Sequence, residues 1–138
     1  MKIFVEFTFD AAHFLPFVPA GHKCGRMHGH TYRMTVWVVG PVDPKLGWVI
    51  DYAMVKSAVD ASILIQLDHH LLNEIAGLEN PTCEVLAAWI GQQLAVVNLG
   101  PARFVELELR ETARAGVRLV IDPFYEGLTI PGTRLELV

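Results

Sequence analysis

IFVEFTFDAAH, residues 3–13, decides the fold class. Ile3, Val5, Phe7, Phe9, Ala11 and His13 share one face, while Glu6, Thr8 and Asp10 take the other. A period of two with one apolar face is a half-buried strand. Outward from it, residues 14–27 (FLPFVPAGHKCGRM) hold two prolines and two glycines and read as a loop. A second alternating strand covers 28–39, with His28, His30, Tyr32, Met34, Val36 and Val38 on one face and Thr31, Arg33 and Thr35 opposite. GPVDPKLG at 40–47 is a turn-rich connection.

Asp51 is a suitable N-cap for a helix over 52–66, followed by LDHHLLN (67–73) as a loop or short helix. A second helix starts at GLENPT (77–82), with Asn80 or Thr82 capping and Pro81 pre-set for the first turn. It runs to about Val97, and Asn98-Leu99-Gly100-Pro101 ends it. A third strand, 103–112, places Val105, Leu107, Leu109 and Glu111 on one face and Phe104, Glu106, Glu108, Arg110 and Thr112 on the other. Gly116 marks a turn, and Val117–Ile121 forms a fourth strand. The order ββααββ predicts an α+β domain with a mainly antiparallel sheet and two helices on one face. Residues 1–121 read as that domain. Residues 122–138 read as its C-terminal extension, in which LTI and RLELV could form a small hairpin.

The chain has 138 residues, the size of one domain. Its 52% hydrophobic content and mean hydropathy of +0.36 exclude disorder. Charged residues are only 19%, low for a small monomer, which points to buried subunit interfaces. A net charge of −4 without a basic tract argues against a nucleic-acid partner. MKIFVEFTFD carries acids and no continuous apolar core, so it does not read as a signal peptide. Apolar runs such as VLAAWI (85–90) fall far short of the ~20 residues that span a bilayer. Cys24 and Cys83 are therefore expected as free thiols in a cytoplasmic protein.

His28-Gly29-His30 is the first chemical feature. Residues two apart on a strand share a face within ~7 Å, so both imidazoles can reach one metal ion. If the first two strands pair across the 14–27 loop, His13 joins them. Three neutral imidazoles with an open position is the catalytic-zinc pattern. Cys24 lies four residues before His28 in a polar loop, where a thiolate beside zinc could serve as base or nucleophile. Cys83 falls in the first turn of a helix and reads as packing. Asp68-His69-His70 offers an acid–imidazole pair in which Asp68 could orient His69 as an acid/base, although surface DHH runs are equally often inert. Glu111 continues an apolar face, where a carboxylate needs a partner such as the two N–H groups of a guanine or pterin edge. The alternative is that the strand frays before Glu111 and leaves it solvated.

Together, FTFDAAH (7–13), GHKCGRMHGH (21–30), GWVIDY (47–52), LDHHLLN (67–73), LENPTCE (78–84) and RETARAG (110–116) resemble the 6-pyruvoyltetrahydropterin synthase superfamily. Within it they are most similar to the bacterial 6-carboxytetrahydropterin synthases of the queuosine and deazapurine pathway. The short Cys-x-x-x-His-Gly-His spacing favours that branch. The resemblance covers the chain to about residue 118. It implies a tunnelling fold, with three subunit sheets joined in a barrel, two trimers stacked as a homohexamer, and active sites between subunits. It implies Zn2+ held by His13, His28 and His30, Cys24 as catalytic base, and Asp68 with His69 as the linked acid/base pair. Glu111 would anchor the pterin ring, with Thr82 contributing to ring binding. The implied reaction is a lyase reaction converting 7,8-dihydroneopterin triphosphate to 6-carboxy-5,6,7,8-tetrahydropterin, acetaldehyde and triphosphate. Lys23, Arg26 and Arg118 are candidates to meet the triphosphate. The alternatives are triphosphate elimination to 6-pyruvoyltetrahydropterin, or a zinc- and pterin-binding module without catalysis. Ala113 stands where relatives often carry cysteine, and Cys83 where serine is usual.

Overall fold

A computed structural model describes residues 1–121. The four strands β1 (Lys2–His13), β2 (His28–Val39), β3 (Arg103–Thr112) and β4 (Ala115–Val120) form one antiparallel sheet in the order β1-β2-β3-β4. The β1/β2 register runs unbroken from Lys2 opposite Val39 to His13 opposite His28. Val5, Phe9 and Ala11 on β1 and Tyr32, Met34, Val36 and Val38 on β2 are buried, as their alternation requires.

Two helices cover that face. Helix α1 begins at Tyr52–Val59, passes through a π-helical stretch at Asp60–Leu64 and ends in the turn Ile65–Leu67. Its N-cap is Asp51, whose carboxylate accepts the Ala53 N–H at 2.8 Å. Val55, Val59, Ile63 and Leu67 are all fully buried. A strict four-residue repeat drifts around a helix of 3.6 residues per turn. The wider π turn absorbs part of that drift and keeps all four on the sheet. Helix α2, Cys83–Ala95, starts at Thr82, whose hydroxyl accepts the Val85 N–H at 3.2 Å. It buries Leu86, Ala87, Ile90 and Leu94, and each fully buried aliphatic side chain of this kind larger than alanine contributes about 1.5–3 kcal/mol.

Two irregularities in β3 depart from the sequence reading. The register passes from Trp37 opposite Glu106 to Val38 opposite Phe104, leaving Val105 as an extra residue. One extra residue reverses the side-chain phase. Phe104 is therefore buried with Leu107 and Leu109, and Val105 is only half-buried, opposite to the simple alternation. At the other end, Arg110 pairs with Gly116 and Thr112 with Ala115, so Glu111 sits in a second bulge. Gly116 is in β4, and Ala113 and Arg114 make the turn. A Cβ on Gly116 would lie inside van der Waals distance of the Leu109 carbonyl oxygen and 2.9 Å from Arg110 Cα. Glycine is required there by close approach of two backbones.

The free edge of β1 is partly covered at its C-terminal end. Ala12 bridges Leu71, the Ala12 N–H donates to the His70 carbonyl at 3.1 Å, and the His69 N–H donates to the Asp10 carbonyl at 2.6 Å. These bonds fasten the 68–71 segment beside the imidazole end of the hairpin. Among the described residues no helix is long and apolar enough to cross a membrane. The hairpin expected in the 122–138 extension lies outside the described residues.

Candidate functional site

The core face of the β1/β2 hairpin ends in three imidazoles. His13 and His28 are register partners, and His30 stands two residues along β2. Their ring centroids lie 4.6 Å (His13–His28), 5.0 Å (His13–His30) and 4.9 Å (His28–His30) apart. One ring nitrogen from each falls within 4.8 Å of the other two.

The hydrogen bonds fix the chemistry of these nitrogens. His13 Nδ1 lies 2.8 Å from the Pro81 carbonyl oxygen, and His28 Nδ1 lies 2.7 Å from that of Arg26. A carbonyl only accepts, so both Nδ1 atoms carry the proton and donate it. Both Nε2 atoms then present lone pairs, and they face each other at 3.0 Å. The Nε2 of His30 is buried without a hydrogen-bond partner. Its nearest anion, Glu111 Oε1, is 3.6 Å away, beyond hydrogen-bond range. The acceptor nitrogens of His13 and His28 thus face each other with no donor between them, and the His30 ring, whose Nε2 is unpartnered, joins them. A cation satisfies all three, and nitrogens bound at ~2.0–2.1 Å around a tetrahedral ion are roughly 3.3 Å apart. The group could therefore bind a metal ion. Burial holds the His30 imidazole below the ordinary histidine range, against the pull of Glu111 and together with the push of His13 and His28. That keeps it in the ligating, neutral form. Tyr32 floors the cluster, fully buried, with its hydroxyl 3.5 Å from His13 Nδ1. Burial, followed by the charges of Glu111 and Cys83, pushes its phenol far up.

Glu111 neither frays away nor points straight into the core. The bulge brings it to the rim beside His30, with 27% of its side chain exposed. Helix α2 starts next to it. The Cys83 thiol donates to the Leu109 carbonyl at 3.6 Å, and burial, then the charges of Glu111 and Glu84, lifts it to about 11. Thr82 precedes it as the N-cap.

The second constellation is Asp68 with His69. Asp68 Oδ1 accepts from His69 Nδ1 and from the Asp10 backbone N–H, both at 3.0 Å. The Asp10 N–H is the main cause that holds the Asp68 carboxyl below its usual range, with His69 adding to it. His69 adopts φ +61, the left-handed region, and 77% of its side chain is exposed. An open cleft beside the Asp68–His69 pair is bordered by Asp10, Gly29, His30 and Thr31 on the sheet and His69 and Leu71 on the loop.

Cys24 sits on a 3-10 turn, Lys23–Gly25, and its backbone N–H donates to His22 Nδ1 at 3.1 Å. It belongs to neither cluster within one chain. Arg118 lies on the opposite face of the sheet, 4.7 Å over the Trp37 ring and 2.6 Å from Glu106. Sequence reasoning missed Asp10, Thr31 and the carbonyls of Pro81 and Arg26. Of these, only the polar Asp10 within FTFDAAH left a signal.

The 6-pyruvoyl tetrahydropterin synthase family profile matches residues 2–120. The 6-carboxy-5,6,7,8-tetrahydropterin synthase of Synechocystis sp. is 37% identical over 120 residues, covering 84% of this chain and 90% of that protein. The dihydroneopterin monophosphate aldolase of Pyrococcus furiosus is 34% identical, covering 86% and 96%. The solved structure of Caenorhabditis elegans 6-pyruvoyl tetrahydropterin synthase superposes with a TM-score of 0.78 at 25% identity, over 87% of this chain and 94% of that one.

Proposed function

The chain belongs to the 6-pyruvoyl tetrahydropterin synthase family, and on that premise we propose that it converts 7,8-dihydroneopterin triphosphate and one water to 6-carboxy-5,6,7,8-tetrahydropterin, acetaldehyde and triphosphate. The carrying observation is the convergence of three imidazoles, two with acceptor nitrogens 3.0 Å apart and the third with a buried unpartnered nitrogen, in a chain that also holds a hydrogen-bonded Asp68–His69 pair. His13, His28 and His30 would hold Zn2+. When bound, the ion supplies Lewis-acid stabilisation of developing oxyanion charge. Glu111 accepts two N–H groups from the pterin edge, a bidentate fit that sets the ring's orientation. Thr82 and the first turn of α2 flank the ring. Asp68 holds the Nδ1 proton of His69, which leaves Nε2 free to give and take protons on the substrate side chain. Cys24 is the base at the neighbouring carbon. Reduction of the ring balances oxidation of the side chain, so no redox cofactor enters.

Cys24 meets the pair across a subunit boundary in this reading. The edges of β1 and β4, unpaired with a further strand among the described residues, and exposed Phe4 and Val120 fit closure of three sheets into a barrel and stacking of two trimers as a hexamer. A cytoplasmic setting agrees with two free thiols.

The test is product analysis. Zinc-loaded protein incubated with 7,8-dihydroneopterin triphosphate is expected to release acetaldehyde, and Cys24→Ala is expected to bind the pterin without turnover. Triphosphate release with a 6-pyruvoyl product and no aldehyde identifies the elimination reaction instead. A fully active Cys24→Ala protein refutes the assigned base.

A further inference from the structure

We propose that Asp10 and Thr31 are positioning residues for the Asp68–His69 pair, an inference that rests on the acid–base reading of His69 given above. Asp10 and Thr31 face each other across the β1/β2 ladder. The Thr31 hydroxyl donates to Asp10 Oδ1. The Asp10 backbone grips the 68–69 segment twice: its N–H donates to Asp68 Oδ1 at 3.0 Å, and its carbonyl accepts the His69 N–H at 2.6 Å. One strand residue thus fixes both the acid's oxygen and the backbone that carries the imidazole. These bonds hold His69 at φ +61, a strained conformation for a non-glycine residue that persists only where neighbours impose it.

The Asp10 carboxylate adds a second constraint. A carboxylate oxygen of Asp10, one of Asp68 and a ring nitrogen of His69 all lie within 4.8 Å of one another. Two acceptors therefore stand near one imidazole N–H. The Thr31 hydroxyl anchors Asp10 through Oδ1, and the His69 Nδ1 proton goes to Asp68. Without that hydroxyl, Asp10 is free to turn and compete. The ring then divides between two poses, and its Nε2 is no longer aimed consistently into the cleft. Orientation of this kind governs how well a general acid or base works.

Thr31→Val removes the hydroxyl and keeps a β-branched side chain at an exposed strand position, so the fold is retained. Thr31→Ser keeps the hydroxyl. In the zinc-loaded oligomer, Thr31→Val is expected to lower kcat for acetaldehyde release by about tenfold to a hundredfold, with KM and zinc content unchanged, and Thr31→Ser to recover most of the loss. Ring-15N magic-angle-spinning spectra give a readout independent of turnover, with His69→Gln assigning the signal. Wild type and Thr31→Ser are expected to show one His69 tautomer protonated at Nδ1, and Thr31→Val a mixture. Unchanged kcat with an unchanged His69 signal overturns the inference, as does equal impairment of the valine and serine variants. If wild-type protein releases no acetaldehyde, the functional reading fails and the 15N spectra alone decide the positioning role.

Discussion

Replacing His30 with leucine separates the two consequences of the imidazole cluster, stability without metal and capture of metal. His30 Nε2 is buried and unpartnered, and an unsatisfied buried polar group costs about 1–3 kcal/mol. Leucine removes that cost and packs against Tyr32, whose ring centroid is 5.7 Å from the His30 ring. Glu111 loses a neighbour at 3.6 Å but keeps water, with 27% of its side chain exposed. The His30→Leu protein is therefore expected to be more stable in chelator by about 1 kcal/mol, which for a domain of this size raises Tm by about 4 °C. Zinc reverses the order. A ligand at a hundredfold excess over Kd stabilises by about 2.7 kcal/mol, so wild type gains about 10 °C. The variant retains two ligands and gains little. Calorimetry at fixed protein concentration, in chelator and in zinc, reads both effects near neutral pH. A wild-type Tm indifferent to zinc, together with a variant several degrees less stable in chelator, would refute the reasoning and make the rings structural.

Three further outcomes follow from single contacts. Burial and the adjacent acids raise the Cys83 thiol from 9.0 to about 11, so iodoacetamide is expected to label it about a hundredfold more slowly than an ordinary thiol. Its folded value lies above its unfolded one, so the stability it contributes is full below 9.0 and lost as pH rises through about 11; the urea midpoint should fall there, and Cys83→Ser should remove that part of the slope. Thr82→Ala removes the α2 cap and is expected to cost about 1 kcal/mol in urea unfolding, with weaker zinc retention because the adjacent Pro81 carbonyl orients His13. Gly116→Ala forces two backbones apart at the Glu111 bulge and is expected to cost about 3 kcal/mol by the same measurement.

The β1/β2 hairpin was legible because period-two alternation specifies both the buried face and the partner face. Once the two strands pair, His13, His28 and His30 must meet at its open end. The inversion at Phe104 and Val105 was not legible, because either residue is apolar enough for the core and a bulge carries no side-chain signature. Gly116 read as a turn because glycine punctuates turns more often than it allows two strands to close. Asp68 and His69 were legible as a pair, but their attachment to Asp10 spans 58 residues and runs through backbone groups that every residue has. Cys24 is distinguishable by sequence alone, but among the described residues of one chain it joins neither cluster.

Both halves of the site occupy places where a regular element stops. The sheet's apolar layer runs through Met34 and Tyr32 and then changes to imidazole at His30 and His28, so the cluster stands at the end of the dry core. Burial holds the His30 imidazole below the ordinary histidine range, which favours its neutral form. Glu111 needs the opposite balance. In an unbroken ladder it would follow Leu107 and Leu109 into the apolar layer, where an unpaired carboxylate is costly. The bulge lifts it to the rim, 3.6 Å from His30, where water or a ligand's N–H groups can reach it. Asp68 ends helix α1, and its carboxylate is free to orient His69 only because an edge-strand N–H, unneeded by the sheet, is available to hold it. The irregularities that a simple alternation fails to foresee are therefore the features that make an ordinary α+β sheet capable of chemistry.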